Sequence, residues 1–182
     1  MKSSETDIVI VPGLGGSGPD HWQSRWQAKL ANARRIAIGD WDDPDPAIWT
    51  RAVVAAVGAC DRPAVLVAHS FGAIAAALAA PSLAGSGLRG AFLVAPPSAS
   101  RFEAAGLGAP LGWWPDATLP VPALVAASRD DEWSSYRESE AQAAAWGATL
   151  VDAGVSGHLN TASGHGPWPE GLMRFAGFLK AL

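Results

Sequence analysis

Cysteine occurs once in the 182 residues, at Cys60, which excludes an intrachain disulfide and a zinc site built on cysteines. That scarcity fits a reducing, cytoplasmic setting. Positive charge is also thin: 13 Lys and Arg stand against 17 Asp and Glu, for a net charge of -4, and the cations form no cluster. Nucleic acid demands a concentrated basic face to displace the counterions of its phosphates, so no nucleic-acid partner is expected. Long apolar runs are missing too. The longest, Ala73 to Ala80, falls far below the roughly 20 residues of a membrane-spanning helix, and no membrane partner is expected. The N-terminal MKSSETDIVIVPG has one lysine followed by acids and a short apolar run, which does not match a secretory leader. Four histidines occur without any H-x-x-x-H spacing, so no metal site is expected.

What remains is a chain that is 49% hydrophobic and 16% charged, with 9 Trp, a composition of globular proteins. Its length suits one domain over 1–182. Short apolar runs alternate with helical patterns, the rhythm of a parallel sheet covered by helices. Strands are expected at Ile8–Val11, Arg35–Ile38, Ala64–Val67, Ala91–Val94, Ala123–Ala127 and Thr149–Val151. Their near-continuous apolarity implies burial on both faces. Helix starts are readable at Asp20 with Gln23, at Asp45–Pro46, at Ser135 with Glu138, and at Pro169, where Leu172, Phe175, Ala176 and Leu179 share one face. Pro96 to Pro122 is too rich in Pro and Gly for one regular helix. It reads as a lid or pocket wall, or as a surface connection onto which Trp113 and Trp114 pack.

The stretch AVLVAHSFGAIAAA, Ala64 to Ala77, runs from a strand pattern through His-Ser-Phe-Gly into an alanine-rich helix. It nearly spells G-x-S-x-G, the turn that exposes a nucleophilic serine, with Ala68 in place of the first glycine. That position asks for smallness so that strand and helix can approach, and alanine adds one methyl group. Ser70 is therefore read as a nucleophile, the alternative being a helix N-cap.

An activated serine needs a base, and the base an orienting acid. Asp130 and Asp131 follow the fifth strand pattern, His158 follows the sixth, and the order Ser, Asp, His is that of α/β-hydrolases. All three fall at strand C-terminal ends, on one edge of the expected sheet. His165 competes for the role of base but lies farther from its strand. His69 adjoins Ser70 with its side chain expected to point away. The glycine-rich IVIVPGLGGSG presents unobstructed backbone N–H groups, so an oxyanion hole is expected from Leu14 and Phe71.

The same loop offers a second reading. Gly13, Gly15 and Gly18 satisfy G-x-G-x-x-G after a strand, as in a dinucleotide-binding oxidoreductase, and Asp40 stands near the place of a ribose-binding acid. Against it, Pro19 and Asp20 put the helix start beyond the glycines, and Ser70, Asp131 and His158 go unused.

Taken together, PGLGGSGPDHW, AHSFG, SRDDEW and GHLNTASGHGPWPEG resemble the small serine-hydrolase family typified by retinoblastoma-binding protein nine. The resemblance runs in order across nearly the whole chain. It implies an α/β-hydrolase fold, a three-layer sandwich of about six mostly parallel strands with little or no cap domain. It places the family's serine on Ser70, its histidine on His158 and its acid on Asp131, with Glu132 where a proline commonly follows. Its His-Trp pair falls on His21 and Trp22, which together with Trp113 and Trp133 are candidates for a substrate pocket. The expected activity is hydrolysis of a small-molecule ester or amide through an acyl-enzyme, with no cofactor. A hydrolase scaffold kept idle as a protein-binding module is the third reading.

Overall fold

The computed structural model describes residues 1, 5–107 and 114–182. Six strands form one wholly parallel sheet: β1 (Asp7–Val11), β2 (Ala33–Arg35), β3 (Ala64–His69), β4 (Leu88–Val94), β5 (Ala123–Ala127) and β6 (Thr149–Asp152). Their order across the sheet is β2-β1-β3-β4-β5-β6. The chain thus moves outward from β1 to β2, then returns to place β3 on the other side of β1. This reversal opens a crevice at the C-terminal ends of β1 and β3, the place where open α/β sheets hold their ligands.

Alternation along each strand divides the core in two, because successive side chains point to opposite faces. Val9, Val11, Leu66, Ala68 and Leu93 face helices α2 (Pro46–Gly58) and α3 (Phe71–Ala79). Ile8, Ile10, Val65, Val67, Phe92 and Val94 face α1 (Trp22–Lys29) and α6 (Pro169–Ala181). A short α4 (Ala99–Ala104) and the longer α5 (Tyr136–Trp146) complete the described α-helices, and α5 contributes Ala143 and Trp146 to the first face. This is the α/β-hydrolase-like architecture expected above. Among the described residues no helix is long and apolar enough to cross a membrane.

Several local signals are met. Asp45 caps α2 by accepting from Ala47 N at 2.8 Å, with Pro46 opening the helix. Ser135 and Glu138 close a reciprocal capping box at α5, and Ser100 also donates to Glu138 at 2.7 Å, joining α4 to α5. Hydrogen bonds from the Ser135 hydroxyl, Ser100 and the Ser135 amide hold the Glu138 carboxyl down to about 2.

Three expectations need correction. The second strand is Ala33–Arg35 rather than Arg35–Ile38. It is an edge strand, where half-exposed arginines are at home: Arg34 reaches Asp7 and Arg35 reaches Ser17, Ser24 and Gln27. The first helix is capped by His21 and not by Asp20, whose carboxylate pairs with Arg25 at 2.9 Å instead. The inward face of α6 is Gly171, Phe175 and Leu179, while Leu172 and Ala176 are exposed. Gly171 decides this rotation, since a Cβ there would come within 2.1 Å of the Trp168 ring. The described part of the 96–122 connection holds α4, and Trp114 packs on Phe102 with ring centroids 5.8 Å apart. Trp113 lies outside the described residues.

The tightest approach in the fold is at Gly72, where a Cβ would sit 2.0 Å from the Pro12 carbonyl oxygen and 2.6 Å from that of Val11. Backbone cannot retreat as a flexible side chain does. Gly72→Ala is therefore expected to cost about 3 kcal/mol or more, read as a lower urea midpoint. Gly58→Ala, at the exposed end of α2 with open space around it, should instead gain about 0.5–1 kcal/mol. Equal midpoints for the two variants would contradict this packing.

Candidate active site

Strand β3 ends at His69, and the chain turns into α3 through Ser70, whose backbone sits at φ 55 and ψ -129. That conformation is costly for a residue with a Cβ and persists only where the surroundings impose it. Ser70 N donates to Val94 O at 2.9 Å and Ser70 O accepts from Ala73 N at 2.8 Å, fixing the turn on both sides. The side chain makes no capping bond to the helix. The N-cap reading of Ser70 is thus set aside, because its hydroxyl is aimed elsewhere.

It meets His158, with Ser70 Oγ 2.8 Å from His158 Nε2. On the far side of the ring, Nδ1 lies 2.9 and 3.0 Å from the two carboxylate oxygens of Asp131. A carboxylate only accepts, so Nδ1 carries the proton and Nε2 is left to accept from the serine hydroxyl. Asp131 and His158 are both buried, each less than a tenth exposed.

The neighbouring Asp130 has a different task. One of its oxygens accepts from Ser128 Oγ at 2.7 Å and from the amides of Ser156 and Gly157 at 2.8 Å. It ties the end of β5 to the loop that delivers His158. These bonds, that from Ser128 first, lower its carboxyl below the usual range. Glu132 is exposed and borders a shallow cavity with Asp130 and His158. His165 bonds Ser163 and stands beside Trp168, away from the serine.

The glycine-rich loop after β1 lies directly on the turn. A Cβ on Gly13 would meet Ser70 Cβ at 2.8 Å, so the loop reaches the serine only because Gly13 has none. The next residue, Leu14, lines a cavity of about 310 Å³ above Ser70, shared with Phe102, Trp133, His21, His69 and Asn160. Phe71 is the first residue of α3, and the positive end of that helix points into the same space. Helix α1 begins only at Trp22, well past Gly18, so these glycines do not open a helix as a dinucleotide fingerprint requires.

Two features escaped the sequence. Gln23, read there as half of a capping box, is fully buried. Its Nε2 donates to the carbonyls of Val11 and Val67 at 3.1 Å, and its Oε1 accepts from Ser17 Oγ at 2.6 Å. It closes the crevice between β1 and β3 and anchors the glycine-rich loop in one stroke. His69 is the second. Its ring does not turn out of the site but lies between His21 and His158, with centroids 4.9 and 5.0 Å away.

Of the expected pocket residues, His21 and Trp133 line the cavity. Trp22 does not: it is wholly buried beneath it, edge-on to Trp26 and Trp168. An indole on the first turn of α1 that faces the sheet belongs to the core.

A serine hydrolase family model matches residues 8–177. The chain belongs to the serine hydrolase family. Among solved structures, a YdeN-like hydrolase from Pectobacterium atrosepticum is 36% identical with a TM-score of 0.88, covering 98% of this chain and 93% of its own. The ydeN gene product of B. subtilis is 19% identical with a TM-score of 0.77, over 96% and 99% of the two chains. Thermogutta terrifontis esterase 2 is 16% identical with a TM-score of 0.67, over 100% and 85%. No curated protein matches the sequence. The resemblance to small serine hydrolases and the α/β-hydrolase fold are thereby established, and the chain is a hydrolase.

His21 gives this serine hydrolase a testable electrostatic feature. Its Nδ1 accepts from Gln23 N at 3.2 Å, so in the neutral ring Nε2 holds the proton. Burial, then the charges of Arg35 and His158, push it down to about 4. A histidine lowered from 6.5 is protonated first in the unfolded chain. Its contribution to stability is complete above about pH 6.5 and is lost as the pH falls towards 4. Nitrogen-15 NMR should find His21 as the Nε2–H tautomer from pH 8 to 5, whereas protonation near 6.5 would contradict this environment.

Proposed function

We propose that this hydrolase cleaves small carboxylic esters or amides with Ser70 as nucleophile, His158 as general base and acid, and Asp131 as the group that orients His158. One observation carries the reading. Ser70, His158 and Asp131 form an unbroken hydrogen-bonded line, 2.8 Å and then 2.9 Å, that ends at the floor of a cavity.

The steps follow from that line. The Ser70 hydroxyl gives its proton to His158 Nε2 as Oγ bonds to the substrate carbonyl carbon, and the carbonyl π electrons move onto oxygen. The amides of Leu14 and Phe71 receive that oxyanion, aided by the N-terminus of α3. Collapse expels the alcohol or amine, which leaves with the proton held by His158. Water then repeats the sequence on the acyl-enzyme, and Ser70 regains its proton. Asp131 keeps the ring in the tautomer that accepts from serine and stabilises the transient imidazolium.

The cavity argues for small substrates. About 310 Å³ lies at the lower end of what small-molecule sites enclose. Its apolar walls, Leu14, Phe102 and Trp133, suit a short alkyl or aryl acyl group, and His21 and Asn160 supply polar edges.

Turnover of p-nitrophenyl acetate tests the reading. Wild type should release a burst of nitrophenol as acyl-enzyme builds, and Ser70→Ala and His158→Ala should abolish both burst and turnover. Asp131→Asn should lower kcat by about 10³–10⁴-fold, since the wrong tautomer is then favoured. Asp130→Asn should cost far less kcat and more thermal stability. Full activity in Ser70→Ala, or a larger kcat loss at Asp130 than at Asp131, would refute the assignment.

A further inference from the structure

His158 sits on a loop, and a loop does not by itself hold a ring to a fraction of an ångström. Its backbone is gripped from outside at two consecutive carbonyls. His69 Nε2 donates to the carbonyl of His158 at 2.9 Å, and Trp22 Nε1 donates to the carbonyl of Leu159 at 2.9 Å. The donors come from different elements, the last residue of β3 and the first of α1. All four residues are buried. Between the two grips the backbone is forced, with Leu159 at φ 50, one of only three non-glycine residues with positive φ among those described. A bulky residue keeps that conformation only where its surroundings over-determine it.

We propose that His69 and Trp22 form a two-pronged clamp that sets the position of His158 relative to Ser70, making both positioning residues for hydrolysis. The proposal rests on the reading of Ser70 and His158 given above. Its force lies in where the first prong is rooted. His69 immediately precedes Ser70, so this hydrogen bond joins the backbone of the nucleophile to the backbone of its base with one residue between them. Any drift of the loop is a drift against the strand that carries the serine, and it is resisted at that bond.

The second prong prevents rotation about the first. Trp22 is fixed by its packing against Trp26 and Trp168, so its indole N–H is a rigid donor. A ring held at one carbonyl pivots; a loop held at two adjacent carbonyls does not. His69 is suited to its place in another respect. Burial, and then the nearby His158 and His21, keep it well below the usual histidine range. It therefore donates as a neutral group, and no second cation stands beside His158 when that ring takes up the serine proton. Trp22 at the start of α1 and the histidine before Ser70, unexplained by the hydrolytic steps, acquire a common purpose.

The test uses the full chain with His69→Phe, His69→Gln and Trp22→Phe. Kinetics with p-nitrophenyl acetate are compared with the downfield NMR signal of the His158 Nδ1–H proton shared with Asp131, and folding is checked by circular dichroism. His69→Phe should lower kcat by about 10–100-fold, the scale of a small misplacement of reacting groups, and leave KM within about twofold. The downfield signal should shift or broaden with it. His69→Gln, whose amide can reach the same carbonyl, should recover most of kcat and the signal, and Trp22→Phe should resemble His69→Phe. Folded His69→Phe with wild-type kcat and an unmoved signal would overturn the clamp, as would equal losses in the Phe and Gln variants. Should His69→Phe fail to fold, the signal in Trp22→Phe decides: displaced, it supports the clamp, and unmoved, it refutes it. If wild type itself turns over no ester, the hydrolytic reading has failed, and the NMR comparison still decides the clamp by itself.

Discussion

The turn at Ser70 can exist only because α3 passes the backbone of β1 with no side chain between them. Gly72 occupies that contact, against the carbonyls of Pro12 and Val11, and Gly13 occupies its counterpart on the other side of the serine. Two glycines therefore permit a strand, a helix and a loop to converge on one hydroxyl. The close approach forces Ser70 into a positive-φ conformation and so turns its side chain away from its own helix and towards His158. Strain at Ser70 and its availability for the proposed chemistry have one cause. Ala68, buried in β3, keeps φ negative, so the position before the turn does not call for glycine's flexibility.

Around that point polar side chains act on loops. Gln23 holds the glycine-rich loop to the ends of β1 and β3, Asp130 holds the loop before His158 to the end of β5, and His69 and Trp22 hold the loop at and after it. Each is a side-chain group bonded to main-chain atoms in or beside a loop at the edge of the sheet. The sheet supplies rigidity for nothing beyond its own edge, and these bonds carry it outward into the site. The other two non-glycine residues with positive φ among those described, Ala95 and Leu159, lie in the connections after β4 and β6 on the same side of the sheet. Departures from ordinary backbone geometry thus gather where the function is proposed and not in the core.

The sheet was readable because strands buried on both faces are apolar along most of their length, and five of the six runs stand near their expected places. The order of Ser70, Asp131 and His158 was readable because the sheet is parallel, so every strand delivers its following loop to one edge. The choice between Asp130 and Asp131 was harder, since adjacent residues differ in direction and not in location, and the direction is set by a turn whose bonds are invisible in sequence. The same holds for His69, whose ring orientation depends on the twist of the turn after it. Gln23 was hidden by its residue type: a buried glutamine three residues after an aspartate reads as a cap. The edge strand was misplaced because Arg34 and Arg35 break the apolar run, and the face of α6 because Gly171 carries no hydrophobic signal though its smallness sets the rotation.

In the proposed reaction Ser70 Oγ is the atom that forms the covalent bond. Labelling the folded protein with a fluorophosphonate, digesting it and locating the adduct by mass spectrometry addresses that directly. A single phosphonyl adduct on Ser70, formed in wild type and lost in His158→Ala, is the predicted result. An adduct on another residue, or none on properly folded wild-type protein, would contradict it.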